Sequence, residues 1–107
     1  MSAEKDQKIR KTRRVQLRCT LGFSSGEIEG DATVTNISTG GCRAESDINL
    51  VEALDVQLAI QLPDQSTPVK VERASVRWIS GRAFGLSFIL FFPSERARLR
   101  TFIEKIK

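Results

Sequence analysis

The amino-acid sequence predicts a mostly β fold, a six-stranded antiparallel barrel followed by one C-terminal α-helix. Three observations carry that expectation. Apolar side chains recur at every second position in six short segments, the period of a strand with one face on a core. The segments are joined by brief turns, which argue for a compact antiparallel barrel rather than a parallel α/β sheet. In the last segment the period lengthens to that of a helix.

Residues 1–13 read as a flexible basic arm, charged, with Ile9 as the only sizeable apolar side chain after Met1. Residues 14–107 are expected to form the barrel and its helix. Val15, Leu17, Cys19, Leu21 and Phe23 alternate with polar positions in strand one. Ser24-Ser25-Gly26 turns the chain into Ile28, Ala32 and Val34, and this second run stops at a polar corner, Asn36 to Gly41. A short strand follows around Cys42 to Glu45. Val56, Leu58, Ile60 and Leu62 form the fourth set, closed by Pro63-Asp64. The fifth begins with Val69 and Val71 and continues with Ala74, Val76 and Trp78. Its phase flips between the two groups, which predicts a bulge near Glu72-Arg73. After Ser80-Gly81 come Phe84, Leu86, Phe88 and Leu90. Leu99, Phe102, Ile103 and Ile106 then fall on one helical face, with Ser94 as the expected N-cap after Pro93.

At 107 residues the chain has room for one core. It contains no histidine, so histidine-based acid–base catalysis and a Cys–His pair are excluded, and two cysteines cannot fill a tetrahedral zinc site. Cys19 and Cys42 lie in apolar runs and are expected to be free, buried thiols. No segment approaches the ~20 apolar residues of a membrane helix, and the polar N-terminus lacks the apolar stretch of a signal peptide. A cytoplasmic protein with no metal and no cofactor is the expectation. Net charge is +4, with basic residues concentrated at Lys8, Arg10, Lys11, Arg13 and Arg14 and again at Arg96, Arg98 and Arg100. That distribution favours an anionic partner without naming it.

Two short motifs narrow the choice. Arg10-Lys11-Thr12-Arg13-Arg14 is an R-x-x-x-R at the boundary of arm and barrel. Asn36-Ile37-Ser38-Thr39-Gly40-Gly41 fits [D/N]-x-S-x-x-G at the end of strand two. Each is weak alone. In this order, ahead of a barrel, a terminal helix and the G-x-x-F of Gly85 to Phe88, they resemble the PilZ family, from about Ile9 to Ile106.

The resemblance implies a receptor for the bacterial second messenger cyclic di-GMP, without catalysis, acting through an effector protein. It implies ligand contacts from Arg10, Arg14, Asn36, Ser38 and Gly41, to which Arg13, Gly40 and Trp78 are added as candidates. The chemistry is consistent. The ligand carries two phosphodiester charges and two guanines whose O6 and N7 accept hydrogen bonds, and a guanidinium fork matches that edge. In an extended segment, positions four apart project to one side, so Arg10 and Arg14 can grip one ligand. The Asn36 amide can pair with a guanine edge, and Ser38 can donate its hydroxyl to a phosphate or base. Gly40 and Gly41 are expected to let the backbone turn tightly and present N–H groups to an anion. Trp78 has two readings, core packing in phase with Val76 or stacking on a guanine. Arg43 reads as a solvated side chain. By the same resemblance, Ile9 in place of an arginine before R-x-x-x-R implies one ligand per chain rather than a stacked pair.

The bland readings are a solubilising arm and an ordinary Asn/Ser/Gly loop. Two other functions compete: a single-stranded nucleic-acid-binding barrel, and a PilZ-like protein-interaction module that no longer binds nucleotide. Nucleic-acid binders of this size present aromatic platforms. Here tyrosine is absent, and Phe84 and Phe88 share the core-facing phase of Leu86.

Overall fold

A computed structural model describes residues 14–26 and 28–106. The arm, with Arg10 and Arg13, lies outside the described residues. The elements are β1 (Val15–Ser25), β2 (Ile28–Ile37), β3 (Gly41–Glu45), β4 (Asp55–Gln61), β5 (Val69–Ser80), β6 (Ala83–Leu90) and α1 (Pro93–Lys105). The strands close into a barrel in the order β1-β2-β3-β6-β5-β4, with every neighbouring pair antiparallel. Closure leaves no strand edge open to pairing with another chain.

The core is drawn from the alternating positions of the strands. Leu21, Val34, Ile37, Ile60, Val69 and Leu99 are wholly inaccessible to solvent. Strand β4 follows its sequence period without exception, with Val56, Leu58, Ile60 and the following Leu62 all buried. The helix contributes Leu99, Phe102 and Ile103 to the same core. Each such side chain contributes about 1.5–3 kcal/mol by leaving water. Polar contacts fix the helix to the start of β5. Glu95 accepts the Lys70 N–H at 2.7 Å, while Arg98 donates to Gln65 Oε1 at 2.6 Å and to the carbonyls of Thr67 and Pro68. No helix among the described residues is long and apolar enough to cross a membrane.

Bulges break the two-residue period, and they decide which residues face outward. The expected bulge at Glu72-Arg73 is present: Val71 opposes Leu58 and Ala74 opposes Val56, one extra residue on β5. Four others were not foreseen. On β1, one extra residue falls between Gln16, which opposes Asn36, and Cys19, which opposes Val34. On β2, Thr35 is the extra residue between Val34 and Asn36, so Ile37 takes the core position and Asn36 turns outward. On β5, Arg77 is extra between Val76 and Trp78, so Trp78 leaves the core phase. On β6, Ile89 is extra against Arg73 and Ala74; Leu90 is therefore exposed and Phe91 is buried in its stead.

The helix start also differs from expectation. Phe92 occupies the N-cap, Pro93 is the first helical residue and Ser94 lies inside the first turn without capping it. Proline suits that place because its ring presets φ and its missing N–H would have had no partner there. Ile106 is the C-cap and is 38% exposed, so the buried stripe ends at Ile103.

Candidate functional site

Arg14 stands immediately before β1, whose first residues pair with the end of β2: Val15 opposes Ile37 and Gln16 opposes Asn36. That register brings the last arginine of R-x-x-x-R to the first residue of the second motif. Arg14 Nη1 donates to Asn36 Oδ1 at 2.6 Å. Asn36 can reach it only because the Thr35 bulge has turned its side chain away from the core.

The loop after Asn36 is held from within. Ser38 is 2% exposed. Its backbone N–H donates to the Gly41 carbonyl at 2.8 Å, its hydroxyl donates to the same carbonyl at 3.4 Å, and it accepts the Gly40 N–H at 3.1 Å. The serine therefore shapes the turn, and its hydroxyl does not line the neighbouring groove. Neither Gly40 nor Gly41 adopts a left-handed backbone, so the glycines are not required by turn geometry. Gly41 is required by proximity: a Cβ there would lie 2.2 Å from the Leu86 carbonyl oxygen. The loop is tied to β6 a second time by Phe88 N–H donating to the Gly40 carbonyl at 2.9 Å. The Gly40 N–H, already given to Ser38, is not displayed to an anion.

On the far side, Trp78 opposes Gly85. The indole ring covers that glycine, where a Cβ would approach Nε1 to 2.1 Å. Trp78 is 40% exposed, which removes core packing as its role and puts an aromatic face beside the motif loop. Between these walls runs a groove of about 420 Å³ lined by Arg14, Asn36, Gly40, Arg43, Arg77 and Trp78, floored by Cys42 and the β6 segment Gly85 to Ser87. Among the described residues, three guanidinium groups and no carboxylate line it. Arg43 is held in place by donating to Thr35 Oγ1 at 2.9 Å and Glu45 Oε2 at 3.0 Å. Arg77 has no such partner among the described residues.

Of the candidates from sequence, Arg14, Asn36, Gly40, Gly41 and Trp78 meet around this groove. Ser38 supports it from below, and Arg10 and Arg13 lie outside the described residues. Arg43 and Arg77 are additions. Arg77 carried no signal in the sequence, because Ala74, Val76 and Trp78 keep one phase across it. Cys42 lies beneath the groove, and burial pushes its thiol up to about 12; Cys19, half-buried on β1, is raised to about 11 for the same reason. Both thiols are free and neutral at ordinary pH, so neither supplies a nucleophile.

A larger concavity of about 610 Å³ crosses β1, β2, β4 and β5. It is lined by Glu29, Asp31 and Glu72 against Lys70 alone. Its charge is wrong for a dianion, and neither motif contributes to it.

A closed six-stranded barrel with one C-terminal helix and a cationic groove beside a motif loop defines a small β-barrel domain with a candidate binding groove. The model of the PilZ domain family matches residues 8–105, and the chain belongs to that family. Among solved structures it is similar to the Bacillus subtilis inhibitor of motility MotI/DgrA, at 19% identity and a TM-score of 0.75. That match covers 91% of this chain and 50% of the other, so the chain spans about half the length of that protein. It is also similar to the PilZ domain of CeSA from a cellulose-synthesizing bacterium, at 13% identity and a TM-score of 0.69, over 87% of this chain and 99% of the other. A Legionella protein, Lpg0364, matches at 13% identity and a TM-score of 0.55, over 88% and 92% of the two chains. No curated protein matches the chain.

Proposed function

We propose that this PilZ domain is a non-catalytic, cytoplasmic receptor that binds cyclic di-GMP in the groove between Arg14 and Trp78 and passes the signal to a protein partner. The observation that carries the reading is the Arg14–Asn36 pair facing Trp78 across a groove lined, among the described residues, by three arginines and no acid. Two phosphodiesters need cationic contact, and guanine edges need fixed donors and acceptors, which Arg14 and Asn36 offer side by side. Trp78 offers a flat face on which a purine can stack, and base–aromatic stacking contributes about 1–3 kcal/mol. Arg10 and Arg13, just ahead of Arg14, would add to the grip as the chain enters β1.

The competing nucleic-acid reading lacks its main support. Phe84 and Phe88 are buried, and the groove holds a single aromatic where strand-binding barrels stack several bases in succession. Calorimetric titration with cyclic di-GMP, beside GMP and a short oligonucleotide, tests the proposal. Saturable binding of the cyclic dinucleotide alone is the expected result. Equal or tighter binding of the oligonucleotide, or no heat with any of the three, would overturn it.

A further inference from the structure

Past the groove, β6 runs into a stretch that the barrel leaves uncovered. Residues 86–94 contain no charged side chain. Within them Ile89, Leu90 and Phe92 are 41%, 54% and 59% exposed, the result of the Ile89 bulge and of Phe92 serving as the helix N-cap. Around them stand three exposed arginines. Arg73 is the cross-strand neighbour of Leu90. Arg96 is one helical turn beyond Phe92, its N–H bonded to the Phe92 carbonyl, and Arg100 follows one turn later on the same face. Arg96 also lies over the Phe91 ring, 5.3 Å from its centroid. Of the acids next to them in sequence, Glu95 is turned away to the Lys70 N–H and to Arg98, and Glu72 lines the larger concavity. None of the three rim arginines forms an ion pair among the described residues.

We propose that this surface docks an acidic, amphipathic segment of a protein partner, apolar at its centre and carboxylate-bearing at its edges. Exposed Leu and Phe surrounded by arginine, with no lysine among them, is the make-up of a protein interface, where aromatics and arginine are enriched and lysine is depleted. The guanidinium fork pairs bidentately with a carboxylate, so rim charges would fix orientation while the apolar centre loses its water. Charge argues against the other occupants. Two copies meeting through this face would oppose arginine to arginine. Residues 1–13 carry five basic and two acidic side chains, so the chain's own arm is repelled as well. An anionic membrane is usually read by clusters of about four to eight basic residues, more than stand here. None of the patch residues lines the groove, so docking is a separate event. It deepens the receptor reading, on which its role in signalling rests, by giving the place where output leaves the domain.

The test uses the full-length chain and a synthetic peptide of about 16 residues, long enough to form a helix on contact. Leucines occupy i, i+3, i+4 and i+7 and glutamates flank them; a control replaces every glutamate by lysine. Amide shifts are followed by NMR with and without cyclic di-GMP, so that loss of nucleotide binding and loss of docking are read separately. The expected result is shifts at Ile89, Leu90, Phe92, Arg96 and Arg100 with the acidic peptide and none with the basic one. Leu90→Ser and the pair Arg96→Glu, Arg100→Glu should each weaken binding at least about tenfold, as for central contacts of an interface. These positions are exposed, and unchanged melting curves would show the fold intact. The proposal is overturned if neither peptide binds, if both bind equally, or if shifts fall elsewhere. It is equally overturned if these residues respond to phosphatidylglycerol vesicles but not to the acidic peptide, or if sedimentation shows self-association abolished by Leu90→Ser.

Discussion

Arg14 and Asn36 lie 22 positions apart in sequence and meet through a 2.6 Å hydrogen bond between Nη1 and Oδ1. Each motif therefore holds the other's polar side chain in place, which in the proposed receptor sets both groups before a ligand arrives. The amide holds one edge of the guanidinium fork, leaving the remaining donors to face the groove. A pre-set fork loses less rotamer freedom on binding than a free one.

The Arg14–Asn36 pair should matter for binding and hardly at all for folding. Arg14→Ala and Asn36→Ala are each expected to weaken cyclic di-GMP binding by about 1–3 kcal/mol, the value of one good bidentate guanine contact. Arg14 is exposed, so its removal should change unfolding free energy by no more than about 0.5 kcal/mol. Calorimetry and a denaturant melt on the same samples separate the two effects. Unchanged affinity in both variants would place the ligand elsewhere.

Gly41 and Gly85 both sit under close neighbours but should respond oppositely to alanine. At Gly41 the obstacle is the Leu86 backbone carbonyl, 2.2 Å from a Cβ, and β3 must move away from β6 to admit a methyl. Gly41→Ala is expected to cost about 1–3 kcal/mol of stability, as for overpacking. At Gly85 the obstacle is the Trp78 indole, 2.1 Å away at Nε1, and that ring is exposed and able to swing out. Gly85→Ala should leave stability nearly unchanged, red-shift tryptophan emission and weaken ligand binding. Trp78 is the only tryptophan, so the fluorescence reports this site alone.

Strand count, helix and core were legible because β4 and the helix obey their periods, and because the Val71-to-Ala74 slip is visible as a change of phase. The groove was legible only in part, for a physical reason. Asn36 and Trp78 both stand where the preceding alternation, Ala32–Val34 and Ala74–Val76, assigns them to the core. Bulges at Thr35 and Arg77 turn them outward. A bulge adds one residue without any composition of its own unless the flanking apolar pattern betrays it. Around Thr35 the pattern gave Ile37 as its one hint, and around Arg77 the large apolar Trp78 concealed it. The placement of Ser38 was not legible either. A hydroxyl in a motif reads as a ligand donor, but both its hydrogen-bonding capacities are spent inside the loop.

The buried thiol beneath the groove makes stability fall in alkali. An unfolded chain releases the Cys42 proton near its ordinary value of about 9, whereas the folded protein retains it up to about 12. The folded value is raised, so the contribution is fully present below pH 9 and is lost as pH climbs towards 12. Over that window the slope is at most about 1.4 kcal/mol per pH unit. Melts from pH 7 to 11 on the protein and on Cys42→Ala check it: the variant should show the shallower decline. Iodoacetamide at pH 8 should label Cys42 only after unfolding, since the native thiol stays protonated and covered. Parallel curves for the two proteins would remove the linkage.

Arg43 and Arg77 border the same groove, yet they should differ in what they give a ligand. The Arg43 fork is committed to Thr35 and Glu45, with the carboxylate 3.0 Å away offsetting its charge. Arg77 has neither tie among the described residues and stands on the bulge beside Trp78. A guanidinium without an acidic neighbour presents its full charge and all its donors to a phosphodiester. Arg77→Ala should therefore weaken cyclic di-GMP binding by about 1–3 kcal/mol and make the remaining affinity less sensitive to salt. Arg43→Ala should weaken it less, and part of its effect should appear as lost stability, because Thr35 and Glu45 lose their partner. Titrations at low and high ionic strength on both variants give the comparison. A larger loss from Arg43→Ala, with Arg77→Ala silent, would mean that the ligand lies towards β3 and that the β5 bulge serves only to hold Trp78 over Gly85.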